Sequence, residues 1–273
     1  MNRALKLLVL LDLVFIFILS LSGSLGGISG TVLYLAAFII PTAFAILSLK
    51  STDSGTNVKN EILNSLKLEK SKLTFTLPLL APIILAIILV SLLTTALFSS
   101  FGLEAPTVEN ESLPVMILRH ALLPAALEEM LFRFVPMLLL SRHSKRSCVL
   151  YSSLFFALIH CNLFQIPYAF LAGALFMTVN LATDSVIPSL ILHFLNNTLS
   201  LISIKYCKDE ASLLIYLAIV GILALVSLIF ILRKRREYST TITEALSGRL
   251  EVKYLSPLAL IIPTLIISVV NLI

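Results

Sequence analysis

The chain has 273 residues, of which 58% are hydrophobic and only 13% are charged, and its mean hydropathy is +1.02. An average soluble domain is about 45–50% apolar and about 25% charged. This composition excludes a soluble enzyme, a disordered chain, a fibrous repeat and a nucleic-acid-binding module, because so little charge cannot cover so much apolar surface. The chain is instead predicted to be divided into membrane spans.

Apolar stretches near the length of about 20 residues that crosses a bilayer recur along the whole chain. In chain order they are residues 5–22, 29–49, 73–100, 113–140, 148–161, 163–182, 186–206, 212–232 and 254–272. The fifth is short and must lie against other helices, whereas the fourth is long enough to tilt or to extend past the membrane. The pattern predicts an all-α, polytopic bundle of about eight to nine transmembrane helices around a polar cavity.

Basic residues are concentrated on one side of the predicted bundle. Sixteen of the 20 Lys and Arg residues lie at the N-terminus or in the loops after spans two, four and eight. Cytoplasmic loops carry an excess of Lys and Arg, so the N-terminus and these three loops are predicted to be cytoplasmic. The loop after span three falls on the opposite side and carries Glu104, Glu109 and Glu111 but no basic residue.

Few ionisable residues lie within the spans. Each is costly to insert, so such residues are expected to face the bundle interior and to have partners. They are Asp12, Arg119, His120, Glu128, Glu129, Arg133, His160 and His193. Asp12 stands alone in span one and could be a structural hydrogen bonder. Arg119 and His120 lie near the outer end of span four and are expected to reach toward water or the headgroups.

Span four carries two glutamates and an arginine. Glu129 and Arg133 are spaced i, i+4, so they share a helix face and can form an ion pair. Glu128 is turned about 100° away from Glu129, on a neighbouring face. Pro124 lies four residues before Glu128 and removes a backbone donor, which predicts a kink that could shape a cavity.

Spans five and seven add two histidines and an asparagine. His160 ends span five, and span seven carries His193 and Asn197 at i, i+4 on one face. Counted at about 1.5 Å per residue from the inner helix ends, Glu128 and His160 lie roughly 18 Å deep, Asn197 roughly 16 Å and His193 roughly 10 Å. Three helices are therefore predicted to place their polar groups in one layer, open to the cytoplasmic half.

These groups suit hydrolysis. A carboxylate near an imidazole in a low-dielectric cavity can hold and deprotonate a water molecule. A second histidine with an asparagine amide can donate hydrogen bonds to a developing oxyanion. An arginine beside the second glutamate can fix the first glutamate in position. The combination indicates water-driven cleavage of a carbonyl compound such as a peptide bond.

The order of the three motifs resembles the CAAX prenyl protease and bacteriocin-processing family of intramembrane endopeptidases. The stretch Tyr168–Gly173 is also similar to that family, and the resemblance covers about residues 113–205. The motifs are E-E-x-x-x-R at Glu128, Glu129 and Arg133, F-x-x-x-H at Phe156 and His160, and H-x-x-x-N at His193 and Asn197. Three such motifs in order, each inside its own apolar span, are far more specific than any one of them.

The resemblance implies a role for each group. Glu128 and His160 would activate the attacking water, His193 and Asn197 would line the oxyanion site, and the second glutamate with the arginine would position Glu128. It also implies a peptide or protein substrate, including a prenylated tail or a leader peptide, and the depth of the polar groups predicts that this substrate is reached from the cytoplasmic half of the membrane. Nucleic acid is not an expected partner.

A catalytic metal is disfavoured by the sequence. Two glutamates and two histidines could be zinc ligands in principle. The chain has no H-E-x-x-H, and the resemblance favours a glutamate-activated water without a metal ligand set. The prediction is therefore a glutamate-type intramembrane endopeptidase with no cofactor.

Two other functions are open on the same residues. A multi-pass transporter or permease could use the buried Glu and His residues as a cargo or proton site, although the sequence has no clear internal repeat. A non-catalytic binder of the bacteriocin-immunity type could retain the same bundle, but it would not need the whole Glu, His, His and Asn set.

The chain is predicted to contain three regions. Residues 1–112 form an N-terminal membrane hairpin, a basic loop and the third span; residues 113–206 form the protease core; residues 207–273 form a C-terminal hairpin with a basic inner loop. The short loops and compact length favour a multi-pass protein of a bacterial plasma membrane.

Overall fold

The computed structural model describes residues 3–25, 27–50, 56–67, 69–103, 111–260 and 262. All regular secondary structure in these residues is helical, which confirms the predicted all-α bundle. The helices are α1 (Arg3–Ser24), α2 (Gly27–Lys50), α3 (Thr56–Ser65), α4 (Lys70–Ser100), α5 (113–140), α6 (Lys145–Leu158), α7 (Ile166–Thr183), α8 (Ile187–Tyr206), α9 (Glu210–Arg233) and α10 (Arg235–Ala245).

Six helices in the described residues are long and apolar enough to cross a membrane. They are α1, α2, α4, α7, α8 and α9, which correspond to predicted spans one, two, three, six, seven and eight. The fifth predicted span is the shorter helix α6, as its length indicated. Of the ninth, residues 254–260 lie in a 3₁₀ helix (Val252–Leu260), and the remainder lies outside the described residues apart from residue 262.

Helix α5, the predicted fourth span, is not a uniform α-helix. Its α-helical segments Leu113–Ile117, Leu123–Glu129 and Val135–Leu140 are joined by π-helical turns at Leu118–Leu122 and Met130–Phe134. Each wide turn ends two residues before a proline, Pro124 or Pro136. A proline has no N–H to bond the carbonyl four residues earlier, so the regular pattern is interrupted at these two places.

Neighbouring helices supply donors to the two carbonyls concerned. The Asn197 amide of α8 donates to the His120 carbonyl over 3.4 Å, and the Ser152 hydroxyl of α6 donates to the Phe132 carbonyl. His120 and Phe132 are the residues four positions before Pro124 and Pro136. The irregular backbone of α5 is thereby tied to the two helices that carry the other motifs.

Helix α1 packs against the motif helices through aromatic rings and one buried polar pair. Phe15 makes edge contacts with Phe132 at 5.6 Å and with Phe155 at 5.8 Å between ring centroids. The Tyr151 hydroxyl of α6 lies 2.7 Å from a carboxylate oxygen of Asp12, and both residues are 1% exposed. Asp12 is therefore a structural hydrogen bonder, one of the roles considered from the sequence.

Helices α6 and α7 approach closely at Gly173. A Cβ atom added there would lie 2.8 Å from the Cα of Ser153, closer than side chains tolerate against backbone. We expect Gly173→Val to destabilise the protein by about 1–3 kcal/mol, because the overpacked helices must move apart. Thermal unfolding in detergent measures the loss. Gly221→Val is the matched control, since a Cβ at Gly221 meets nothing within 4 Å, and equal melting temperatures for the two variants would contradict the prediction.

Candidate active site

Glu129 is the centre of a buried polar cluster. Its side chain is fully buried, and its Oε1 lies 3.5 Å from the Arg133 Nε and 2.8 Å from the His193 Nδ1. The Ser189 hydroxyl donates to its Oε2. The predicted i, i+4 pair of Glu129 and Arg133 is present, and the carboxylate also reaches two residues of α8.

The Arg133 guanidinium is buried among aromatic rings. Its Cζ lies 3.9 Å from the centroid of Phe156 and 5.7 Å from that of Phe176. None of its nitrogens has a hydrogen-bond partner among the described residues, so the Glu129 carboxylate and the ring faces are the groups that stabilise the charge. Phe156 of the F-x-x-x-H motif thus serves Arg133 as well as His160.

His193 links the two glutamates. Since a carboxylate only accepts, the His193 Nδ1–H donates to Glu129, and the Nε2 on the other side of the ring lies 3.6 Å from the Glu128 Oε2. Glu129 and Arg133 are expected from the sequence to position Glu128. Their contacts lead instead to His193, which then lies beside Glu128 with its ring orientation fixed.

His160 is held by its own helix end. Its Nδ1 lies 2.6 Å from the Phe156 carbonyl and must donate to it, because a carbonyl only accepts. The ring also packs edge-on against the Phe156 ring, with centroids 4.9 Å apart. This tautomer leaves the Nε2 available to accept a proton or to bind water.

Glu128, His160, His193 and Asn197 all line one cavity of about 290 Å³. Three helices contribute them, and the Glu128 side chain is 13% exposed whereas that of Glu129 is fully buried. The structure therefore brings together the four residues predicted to act on the substrate, and it keeps Glu129 and Arg133 behind them. Asn197 lines this cavity, and its amide group also donates a hydrogen bond to the His120 carbonyl.

The direction of this cavity differs from the expectation. From Glu128 it extends past Pro124 to His120 on α5, and past Asn197 to Ser200 on α8. Both directions lead away from the loops that hold most basic residues. Residue counts from the inner helix ends give the depth of polar groups but not the side on which a cavity opens, so the sequence argument could not determine this direction.

Charged residues border this end of the bundle. Arg119 forms an ion pair with Glu111, and the Lys205 ammonium donates to the Glu111 carbonyl over 2.8 Å. The Arg119 and His120 side chains are 55% and 44% exposed, which agrees with their predicted position near water or headgroups.

Sequence reasoning did not identify three site residues. Ser189 lies four residues before His193, so the same i, i+4 rule that paired His193 with Asn197 could have identified it. Tyr168 and Gln165 line the cavity at the start of α7; Tyr168 belongs to the stretch that resembles the family, whereas no sequence signal indicated Gln165. Asn162, by contrast, accepts from the Phe164 backbone N–H over 2.9 Å and shapes the link to α7.

The described residues contain no group of three or more His, Cys, Asp or Glu side chains with a geometry that could hold a metal ion. Glu128, Glu129 and His193 are adjacent, but Glu129 is already engaged with Arg133, His193 and Ser189. Hydrolysis without a metal ion remains a prediction.

Comparison with known proteins identified one family. Residues 110–199 match the family model described as type II CAAX prenyl endopeptidase Rce1-like. Comparisons with curated proteins and with solved structures found no match. The matched segment includes all three motifs, and therefore every motif residue that lines the cavity. Residues 110–199, about a third of the chain, are therefore similar to the type II CAAX prenyl endopeptidase, Rce1-like model, in agreement with the resemblance that the motifs indicated.

Proposed function

We propose that the protein is an intramembrane endopeptidase that hydrolyses a peptide bond with a water molecule activated by Glu128 and His160. The observation that carries the proposal is the common cavity lined by Glu128, His160, His193 and Asn197. Glu128 is the partly exposed carboxylate of the pair, so it is the one that can contact water. His193 would donate a hydrogen bond to the oxyanion of the tetrahedral intermediate from a protonated Nε2, since its Nδ1–H is bonded to Glu129. Asn197 would donate the amide hydrogen that does not bond the His120 carbonyl.

The buried groups support this division of roles. Glu129 contacts Arg133, His193 and Ser189, which supports a positioning role for it. His160 has its Nδ1 committed to a backbone carbonyl, and its Nε2 is then suited to accept or return a proton during cleavage. Preorganised donors and acceptors of this kind lower the barrier because they need no rearrangement during the reaction.

The proposal is tested with the purified protein in detergent and a library of fluorescence-quenched peptides. We expect cleavage of a subset of sequences at an internal bond, with mass spectrometry locating the bond. Sealed vesicles containing the protein provide the contrasting measurement: solute uptake that depends on Glu128, without cleavage of any peptide, would contradict the proposal and indicate a transporter.

Metal removal is expected to leave hydrolysis unchanged. Glu128 and His160 can supply the base without a metal-bound water, since water activation by a positioned carboxylate is ordinary general-base catalysis. Dialysis against EDTA followed by 1,10-phenanthroline, with metal content measured in the same sample, should give kcat within about twofold of the untreated value. Loss of activity that added Zn²⁺ restores would overturn this prediction.

We also propose that the substrate enters from the end of the bundle near His120 and Ser200. The cavity extends in that direction. If the basic loops are cytoplasmic, as the charge distribution predicts, this end faces away from the cytoplasm. The side of access would then be opposite to the one expected from residue depth alone.

Cysteine labelling tests the orientation. Cys207 follows α8 at the cavity end, whereas Ser247 is exposed in the basic segment after α10. In a Cys161→Ala background, we expect a membrane-impermeant maleimide to label Cys207 in unbroken bacterial cells. A Ser247→Cys, Cys207→Ala variant should be labelled only after permeabilisation. The reverse pattern would place the cavity end in the cytoplasm.

A further inference from the structure

A second chamber branches from the catalytic cavity between α4, α8 and α9. It has a volume of about 380 Å³ and shares five lining residues with the catalytic cavity, so the two spaces adjoin. The shared residues are Gln165, Tyr168, Asn196, Asn197 and Ser200. Beyond them the chamber extends along the helices toward Ser91 and Thr95 on α4 and Ser203 on α8.

The side chamber is lined by apolar side chains and by several hydroxyl groups. Ser91, Thr95, Ser200 and Ser203 present hydroxyl groups to it, and none of these groups has a hydrogen-bond partner among the described residues. Thr94, next to Thr95, shows the usual alternative, since its hydroxyl donates to the Val90 carbonyl of its own helix over 2.7 Å. The side chamber thus holds hydroxyl groups that remain available to an occupant.

An extended peptide is the occupant that these groups fit. Each residue of an unfolded peptide brings one N–H and one C=O, and an unpaired backbone group in an apolar region costs several kcal/mol. Serine and threonine hydroxyls can donate and accept. Apolar residues such as Ile88, Leu92 and Leu213 line the rest of the chamber and can contact every second side chain of an extended peptide.

A lipid tail fits the same lining poorly. An acyl chain has no hydrogen-bonding group, so it would leave the hydroxyls of α4 and α8 unmatched. The connection to the catalytic cavity through Asn197 also matters, because an occupant that reaches both spaces passes directly by the proposed oxyanion donor.

We propose that the side chamber is a substrate subsite, which binds the extended backbone of the peptide on one side of the scissile bond. This inference rests on the proposed endopeptidase function. It assigns Ser91, Thr95 and Ser203 as residues that bind substrate through hydrogen bonds without taking part in the chemistry. It also makes cleavage dependent on peptide length, since a peptide too short to reach the chamber loses these bonds.

The test compares long and short peptides in variants that fill the chamber. Ser91→Leu and Ser203→Leu place apolar volume in it, whereas Ala96→Leu adds similar volume on the exposed face of α4. For a ten-residue quenched peptide that the wild type cleaves, we expect KM to rise about tenfold in each filling variant, with kcat changed less. A six-residue version of the peptide, shortened at the end that would occupy the chamber, should be cleaved equally by all variants.

Two results would overturn the subsite. One is a KM for the ten-residue peptide that is the same in the filling variants and in Ala96→Leu. The other is an equal loss of cleavage for the six-residue and ten-residue peptides in the filling variants, which would indicate general damage to the protein.

Binding of the labelled ten-residue peptide to the Glu128→Gln protein, measured by fluorescence anisotropy, separates the subsite proposal from the endopeptidase proposal. Weaker binding in the filling variants supports the subsite even where cleavage is absent, and unchanged binding contradicts it.

Discussion

Replacing Glu128 with glutamine is expected to reduce kcat for peptide hydrolysis by about 10²–10⁴-fold. Glutamine has nearly the same shape, so the cavity keeps its form, but a neutral amide cannot take a proton from water. The loss should appear in kcat more than in KM, because Glu128 acts on the water rather than on the binding of the peptide. Single-turnover cleavage of a fluorogenic peptide by the detergent-purified protein measures it.

The matched control for this change is Glu244→Gln. Glu244 is exposed on helix α10, so the same chemical change there should leave kcat unaltered. Glu129→Gln adds a second comparison: it should lower kcat through the orientation of His193, while it also lowers stability. A Glu128→Gln protein with kcat within twofold of the wild type would remove the catalytic assignment.

Replacing Arg133 with methionine is expected to lower the free energy of unfolding by about 3–5 kcal/mol. The Arg133 and Glu129 side chains are both fully buried, so loss of the guanidinium leaves a carboxylate without its charge partner in the bundle interior. The aromatic contacts with Phe156 are lost as well. Unfolding in SDS, followed by far-ultraviolet circular dichroism, gives the difference from the wild type.

A double variant distinguishes an unpaired charge from a simple packing defect. Glu129→Gln combined with Arg133→Met removes both charges and should recover a large part of the lost stability. Lys234→Met at the exposed pair with Glu237 is the control and should cost far less. If the double variant is less stable than Arg133→Met alone, the buried charge of Glu129 is not the cause of the loss.

Much of the site follows from spacing within single helices. The i, i+4 rule predicts the Glu129–Arg133 pair. The apolar residues around each motif predict the three helices that meet at the cavity. The contacts between helices do not follow in the same way. Whether Glu129 would bond His193 depends on how α5 and α8 are rotated about their axes, and that rotation is set by packing along their whole length.

The irregular shape of α5 was only partly predictable. Pro124 indicated an interruption, but Pro136 has the same effect one segment later, and the two wide turns are visible only in the structure. The direction in which the cavity extends was likewise not predictable from the sequence. It depends on which faces of α5, α7 and α8 leave space between them, and a residue count along one helix contains no information on such gaps.

The two proline-interrupted turns have a consequence for biosynthesis. Helix α5 emerges from the ribosome before α6 and α8, yet the Ser152 and Asn197 side chains that serve its Phe132 and His120 carbonyls belong to those later helices. A carbonyl without a donor is costly in hydrocarbon. We therefore expect helix α5 to be less stable in the lipid as an independent span than after residues 113–206 have assembled around it.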